Sequence, residues 1–118
     1  MPQIRIEYSG NIGSGFDARG FAGRVHQLVA ATVDTELGNC KTRLVELSDY
    51  LIGDGSHDHA MIHVDLRILS GRPQSQKEQL GQSVLAALEE AVSKSHLRLQ
   101  LTVEVRELDR ENYHKRLI

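Results

Sequence analysis

The amino-acid sequence predicts an α+β fold: a two-layer domain of two βαβ units, with a four-stranded mixed sheet and two helices on one face. Three observations predict it. "QIRIEY" near the N-terminus and "LRLQLTVEVREL" near the C-terminus alternate apolar and polar residues at the period of a strand. Two longer segments carry apolar residues at helical spacing. The order strand–helix–strand then occurs twice, so each half should hold two parallel strands joined by a right-handed crossover.

In chain order, the first strand covers about 2–9, where Ile4, Ile6 and Tyr8 alternate with Gln3, Arg5 and Glu7. Pro2 suits its first position, because proline cannot donate to a ladder. "SGNIGSG" breaks the strand with glycines. Residues 16–33 form a helix with Phe21, Val25, Leu28, Val29 and Thr32 on one face, opened by Asp17 as N-cap or first-turn acid. Gly20 and Gly23 each weaken it by about 1 kcal/mol relative to alanine. "CKTRLVEL" is the second strand and "IGDGSHD" a loop. The third strand is "HAMIHVDLRIL", with Ile62, Val64, Leu66 and Ile68 facing one way and His63, Asp65 and Arg67 the other. "SGRPQ" ends it. The second helix runs over 75–95; Ser75 and Glu78 have the spacing of a capping box, and Leu80, Val84, Leu85, Leu88, Ala91 and Val92 make its apolar stripe. The fourth strand follows at 97–108, and the tail "DRENYHKRLI" is short and mostly exposed. Gln3, Arg5, Glu7, Gln100, Thr102, Glu104 and Arg106 line the second sheet face. That face is polar and of mixed sign, fit to meet water or line a hydrated channel between subunits. The outer strands leave edges that need covering.

At 118 residues the chain is expected to be a single domain, 1–118, with pseudo-repeat halves about 2–50 and 57–108. A net charge of −2 gives no basic excess for nucleic acid. No apolar stretch approaches the roughly 20 residues that cross a membrane, so no membrane partner is expected. One cysteine, Cys40, rules out an intrachain disulfide and points to a cytoplasmic, reducing setting. The N-terminus lacks the regions of a signal peptide, so the mature chain is expected to begin at Met1 or Pro2.

Several residues invite chemistry. If Met1 is removed, Pro2 becomes a free secondary amine at the end of a rigid strand. Only its neutral form accepts a proton, and burial or a nearby cation favours that form. Arg72 follows a strand and precedes a helix start, where free amides and the helix dipole favour an anion, and arginine grips a carboxylate with two hydrogen bonds. A solvated loop arginine is the alternative. Lys41 and Arg43 share a strand face as possible carboxylate-binding helpers or plain surface charge. His57, His59 and His63, with Asp58 and Asp65, lack a recognised zinc spacing, and no metal is expected. Cys40 reads as a packing residue, and "GNIGSG" lacks the lysine and Ser/Thr of a phosphate loop.

"MP" opening an alternating strand, the βαβ repeat, and "LRILSGRPQSQKEQLGQSV" together resemble the tautomerase superfamily. "MPQIRIEYSGNI", "LVAAT" and "DGSHDHAMIHVDLRI-LSGR" are most similar to the 5-carboxymethyl-2-hydroxymuconate delta-isomerase group, over about residues 2–90. The resemblance implies a tautomerase/MIF-like fold, a homotrimer, no cofactor, and a small-molecule carboxylate substrate met in the degradation of homoprotocatechuate-type aromatic acids. It implies that Pro2 moves the proton, that Arg72 binds a carboxylate and steadies enolate charge, and that the first and third strands are antiparallel neighbours, so that Pro2 faces Arg72. Since the first half lacks the arginine and the second the amine, one site per chain is implied. Lys41 stands where the isomerases carry an arginine; charge is retained but the planar two-bond grip is not. Two alternatives stay open: a tautomerase of another enol, and a trimeric binding protein that keeps Met1 and so has no free proline amine. The C-terminal "YHKRLI" is a candidate cover for a neighbouring subunit's site.

Overall fold

The period-two segments become four strands in the computed structural model, which describes residues 1–118: β1 (Gln3–Ser9), β2 (Lys41–Leu47), β3 (His59–Leu69) and β4 (Arg98–Leu108). One helix connects the strands of each half, α1 (Ala18–Thr32) in the first and α2 (Gln74–Ala91) in the second. The sheet order is β2-β1-β3-β4, with β1 parallel to β2, β3 parallel to β4, and β1 antiparallel to β3. Gln3 lies opposite Arg67 across the central pair, so the start of β1 sits beside the end of β3.

One sheet face and both helices form the core. Ile4 and Ile6 of β1 and Ile62, Val64, Leu66 and Ile68 of β3 are at most 1% exposed, and they meet Val25 and Val29 of α1 and Leu80, Val84 and Leu88 of α2. Each such side chain contributes roughly 1.5–3 kcal/mol by leaving water. Of the predicted α2 stripe, Leu85, Ala91 and Val92 are only half-buried and Val92 lies past the helix end, while Ala87 is buried instead. The other sheet face is a ladder of charge: Asp65 accepts from Arg67 at 3.2 Å and from Arg106 at 3.1 Å.

Asp17 is the N-cap of α1, accepting from the Gly20 N–H at 3.0 Å, a contact that stabilises a helix by about 1 kcal/mol. A Cβ at position 20 would collide with that carboxylate, so the glycine in the first turn serves the cap. The expected Ser75–Glu78 capping box does not form. The N-cap is Pro73, two residues before the Ser75 that the box requires, with no side-chain cap, so Ser75 already lies inside the first turn. "GNIGSG" is wound as 3-10 turns with a break at Gly13 rather than open loop.

Candidate active site

The register of β1 against β2 and β3 gathers one end of the sheet around the chain's amino terminus. Pro2 is under 2% exposed, and its carbonyl accepts from the Lys41 backbone N–H at 3.2 Å, which ties the start of β1 to the start of β2. Met1 before it is only half-buried. Burial first, and then the positive charges of Arg72, Lys41, Arg110 and Lys115, depress the terminal amine below its ordinary 8.0. A cationic ammonium is disfavoured there for both reasons, and the neutral amine is favoured.

Arg72 reaches this end from the β3–α2 turn. Its guanidinium donates to the carbonyl of Val33, just past α1, at 2.8 Å, and to that of Leu69 at 3.3 Å. A helix C-terminus carries partial negative charge, which suits a cation. The turn itself depends on Gly71, whose φ of 108° is a conformation that side-chain-bearing residues rarely adopt. Lys41 is exposed, with its Nζ donating to the Asn39 carbonyl at 3.1 Å. Pro2, Lys41 and Arg72 therefore converge. Arg43 does not join them: it lies on the open sheet face and donates to the Gln3 side chain. It lines a cavity of about 280 Å³ with Gln3, Arg67 and Tyr113.

Two further cations lie here: Arg110, which sequence reasoning did not single out, and Lys115, which it named only within the tail "YHKRLI" as a cover for a neighbouring subunit's site. Arg110 donates from Nε to the Ser70 carbonyl at 3.0 Å, and Lys115 donates from Nζ to Asn39 Oδ1 at 2.9 Å. The tail is mostly exposed, as expected, but it folds back over the strand ends of its own chain. Its basic residues were visible in the sequence, but nothing periodic said where they go. Lys41, Arg72, Arg110 and Lys115 have no carboxylate within 4.0 Å, as is true also of Arg19, Arg43, Lys94 and Arg116, whereas Arg5, Arg24, Arg67, Lys77, Arg98 and Arg106 are ion-paired.

The opposite end of the sheet, where β1 ends beside the start of β3, is built differently. Asn11 stands where the other half has Arg72, and donates to the His59 carbonyl at 2.7 Å. Arg98, opening β4 as Lys41 opens β2, is neutralised by Asp58 at 2.9 Å. His59 is held by Asp54 at 3.1 Å and His63 by the Thr102 hydroxyl at 2.7 Å, so the histidines point to separate partners. Cys40 is buried, and burial raises its thiol pKa, as befits a packing residue.

Comparison with known proteins accords with this geometry. The profile of the 5-carboxymethyl-2-hydroxymuconate isomerase family matches residues 2–117. The 5-carboxymethyl-2-hydroxymuconate Delta-isomerase of Escherichia coli is 31% identical over 111 residues, covering 92% of this chain and 87% of that protein. The crystal structure of a 5-carboxymethyl-2-hydroxymuconate isomerase from Deinococcus radiodurans R1 superposes with a TM-score of 0.84 at 23% identity, covering 98% of this chain and 88% of the other. A structure described as "Q0 fused 4-OT wild type symmetric trimer" superposes with a TM-score of 0.72 at 15% identity, covering 94% and 89%. With a family match that runs from Pro2 into the tail that folds back beside it, the chain belongs to the 5-carboxymethyl-2-hydroxymuconate isomerase family and is an isomerase of the tautomerase fold.

Proposed function

We propose that the chain shifts a proton within an unsaturated 2-hydroxy or 2-oxo di- or tricarboxylate, with 5-carboxymethyl-2-hydroxymuconate as the leading substrate and Pro2, freed by loss of Met1, as the general acid/base. The observation that carries the reading is the convergence of unpaired cations on an amine held towards its neutral form. The neutral nitrogen takes a proton from the dienol oxygen, electron density moves through the conjugated chain, and the ammonium returns the proton to carbon. No group is consumed, because the same nitrogen gives back what it took. Arg72 binds a carboxylate and offsets the negative charge that builds on the enolate. Lys41 holds a second charge, and Arg43 lies one cavity away as a further helper. The neutralised opposite end supports a single site per chain.

The polar, mixed-sign sheet face and the trimeric structural neighbour support assembly as a homotrimer. Cytoplasmic residence, a single domain over 1–118 and a place in aromatic-acid degradation complete the reading. A second reading, turnover of another enol acid, is favoured by one observation: Lys41 is a point charge and cannot supply a planar two-bond grip. The deciding experiment measures ketonisation of 5-carboxymethyl-2-hydroxymuconate and of phenylpyruvate enol, on protein whose intact mass confirms loss of Met1. A much higher kcat/KM on the muconate supports the first reading. Rates unchanged in both Pro2→Ala and Arg72→Ala would overturn proline catalysis.

A further inference from the structure

The C-terminal segment after β4 takes no part in the proton transfer, yet it is tied down at three points around the start of β1. Arg110 donates to the Ser70 carbonyl at 3.0 Å, Tyr113 Oη accepts from the Gln3 amide at 2.8 Å, and Lys115 donates to Asn39 Oδ1 at 2.9 Å. Tyr113 alone is half-buried and would suffice as an anchor. The two cations are a different matter. The chain has 16 acidic residues for 14 lysines and arginines, yet none of the acids lies within 4.0 Å of Arg110 or Lys115. They instead join Lys41 and Arg72 around the terminal amine. Gathered like charges repel one another, and an anion bound between them lowers that cost. Lys115 Nζ also sits 3.9 Å from the sulfur of Met1, the residue whose removal exposes Pro2.

We infer that Arg110 and Lys115 form a second carboxylate-binding pair at the proposed active site, so that the tail selects substrates carrying two or more carboxylates over those carrying one. This rests on the isomerase site proposed above. Arg72 and Lys41 approach the amine from the β3–α2 turn and from β2, whereas Arg110 and Lys115 approach it from the tail. A substrate with carboxylates at both ends is held by both pairs; a monocarboxylate meets one. Both tail residues are exposed, so their replacement leaves the core intact.

The test uses Arg110→Gln, Lys115→Met and the double variant, which remove charge and keep much of each stem, with Lys115→Arg as the conservative control. Loss of a charge-assisted contact should raise KM for the muconate tricarboxylate about 10-fold or more in the double variant. Because both cations also depress the amine, the comparison is made on the alkaline plateau of each variant's pH profile, where the amine is neutral; there kcat should change little, KM for phenylpyruvate enol should stay the same, and Lys115→Arg should behave as the parent. Equal shifts for both substrates, or none for either, would overturn the inference. A non-reacting tricarboxylate, tricarballylate, gives an independent readout by titration calorimetry. The parent should bind it more tightly than the double variant, and equal affinities would defeat the tail's role even if no enol were turned over. A parent enzyme inert towards both enols, but with tricarballylate binding that depends on the tail, would defeat the proposed reaction and leave the anion pair standing.

Discussion

Arg72 donates its guanidinium N–H to the carbonyl of Val33 at 2.8 Å, so the helix end of the first half fixes the cation contributed by the second. The side chain is committed to the protein's own carbonyls and, in the proposed reaction, takes a second duty towards an incoming carboxylate. Arg72→Ala should lower stability by about 1 kcal/mol, the usual net worth of a lost hydrogen bond, read by urea unfolding. It should lower kcat/KM far more than that loss of stability explains. Arg72→Lys should restore charge without the fork and recover only part of the activity.

The pH dependence of kcat/KM follows from the depressed amine. Burial and the surrounding cations lower the Met1 amine, and in the proposed enzyme, once Met1 is gone, the same surroundings should lower the Pro2 amine in the same direction. A lowered pKa keeps the amine neutral, and so a base, down to a more acid pH. Activity should hold to a more acid pH than an unperturbed proline amine would allow, and be lost as pH falls through the lowered value. Arg72→Ala removes the largest of the cationic causes, so the acid limb of its profile should move to higher pH.

At the far end of the sheet, the Ser56 backbone N–H and side chain, with His59, hold the Asp54 carboxyl down to about 2. The group is ionised throughout the neutral range. Its contribution to stability is present above the ordinary value of 3.8 and is lost as pH falls through about 2. A carboxyl-carbon NMR titration should place its midpoint near 2, and a midpoint near 3.8 would mean that the turn around Ser56 does not form in solution.

Gly71→Ala tests the turn that delivers Arg72. The nearest atom to a new Cβ, Arg110 Nε, is 3.9 Å away, so crowding is not the issue. The φ of 108° is, and an L-residue forced into it costs about 1–3 kcal/mol. Thermal unfolding should show that loss, and KM should rise as the turn relaxes and Arg72 shifts.

The strands were legible because each has one wet and one dry face: β3 begins at His59 and ends at Leu69, where the alternation said it would. The central convergence of Pro2, Lys41 and Arg72 was legible only through family likeness, since which strands pair antiparallel is a tertiary fact that no local pattern encodes. The capping box failed because Pro73 starts α2 early, with φ already at −66°. Arg110 and Lys115 were hidden for a simpler reason. A tail without periodicity gives no face on which to place a side chain, and its position is set by Tyr113, Ser70 and Asn39, residues contributed by three separate parts of the chain.

Lys115 lies against Met1, so the segment after β4 meets the start of β1. In the proposed reaction, an affinity tag or fluorescent fusion ahead of Pro2 would leave its nitrogen an amide, and one after Lys115 would crowd the strap that crosses beside it. Biosensor or immobilisation designs should therefore enter through the exposed bend around Leu51, at the far pole of the sheet, where an insertion touches neither terminus.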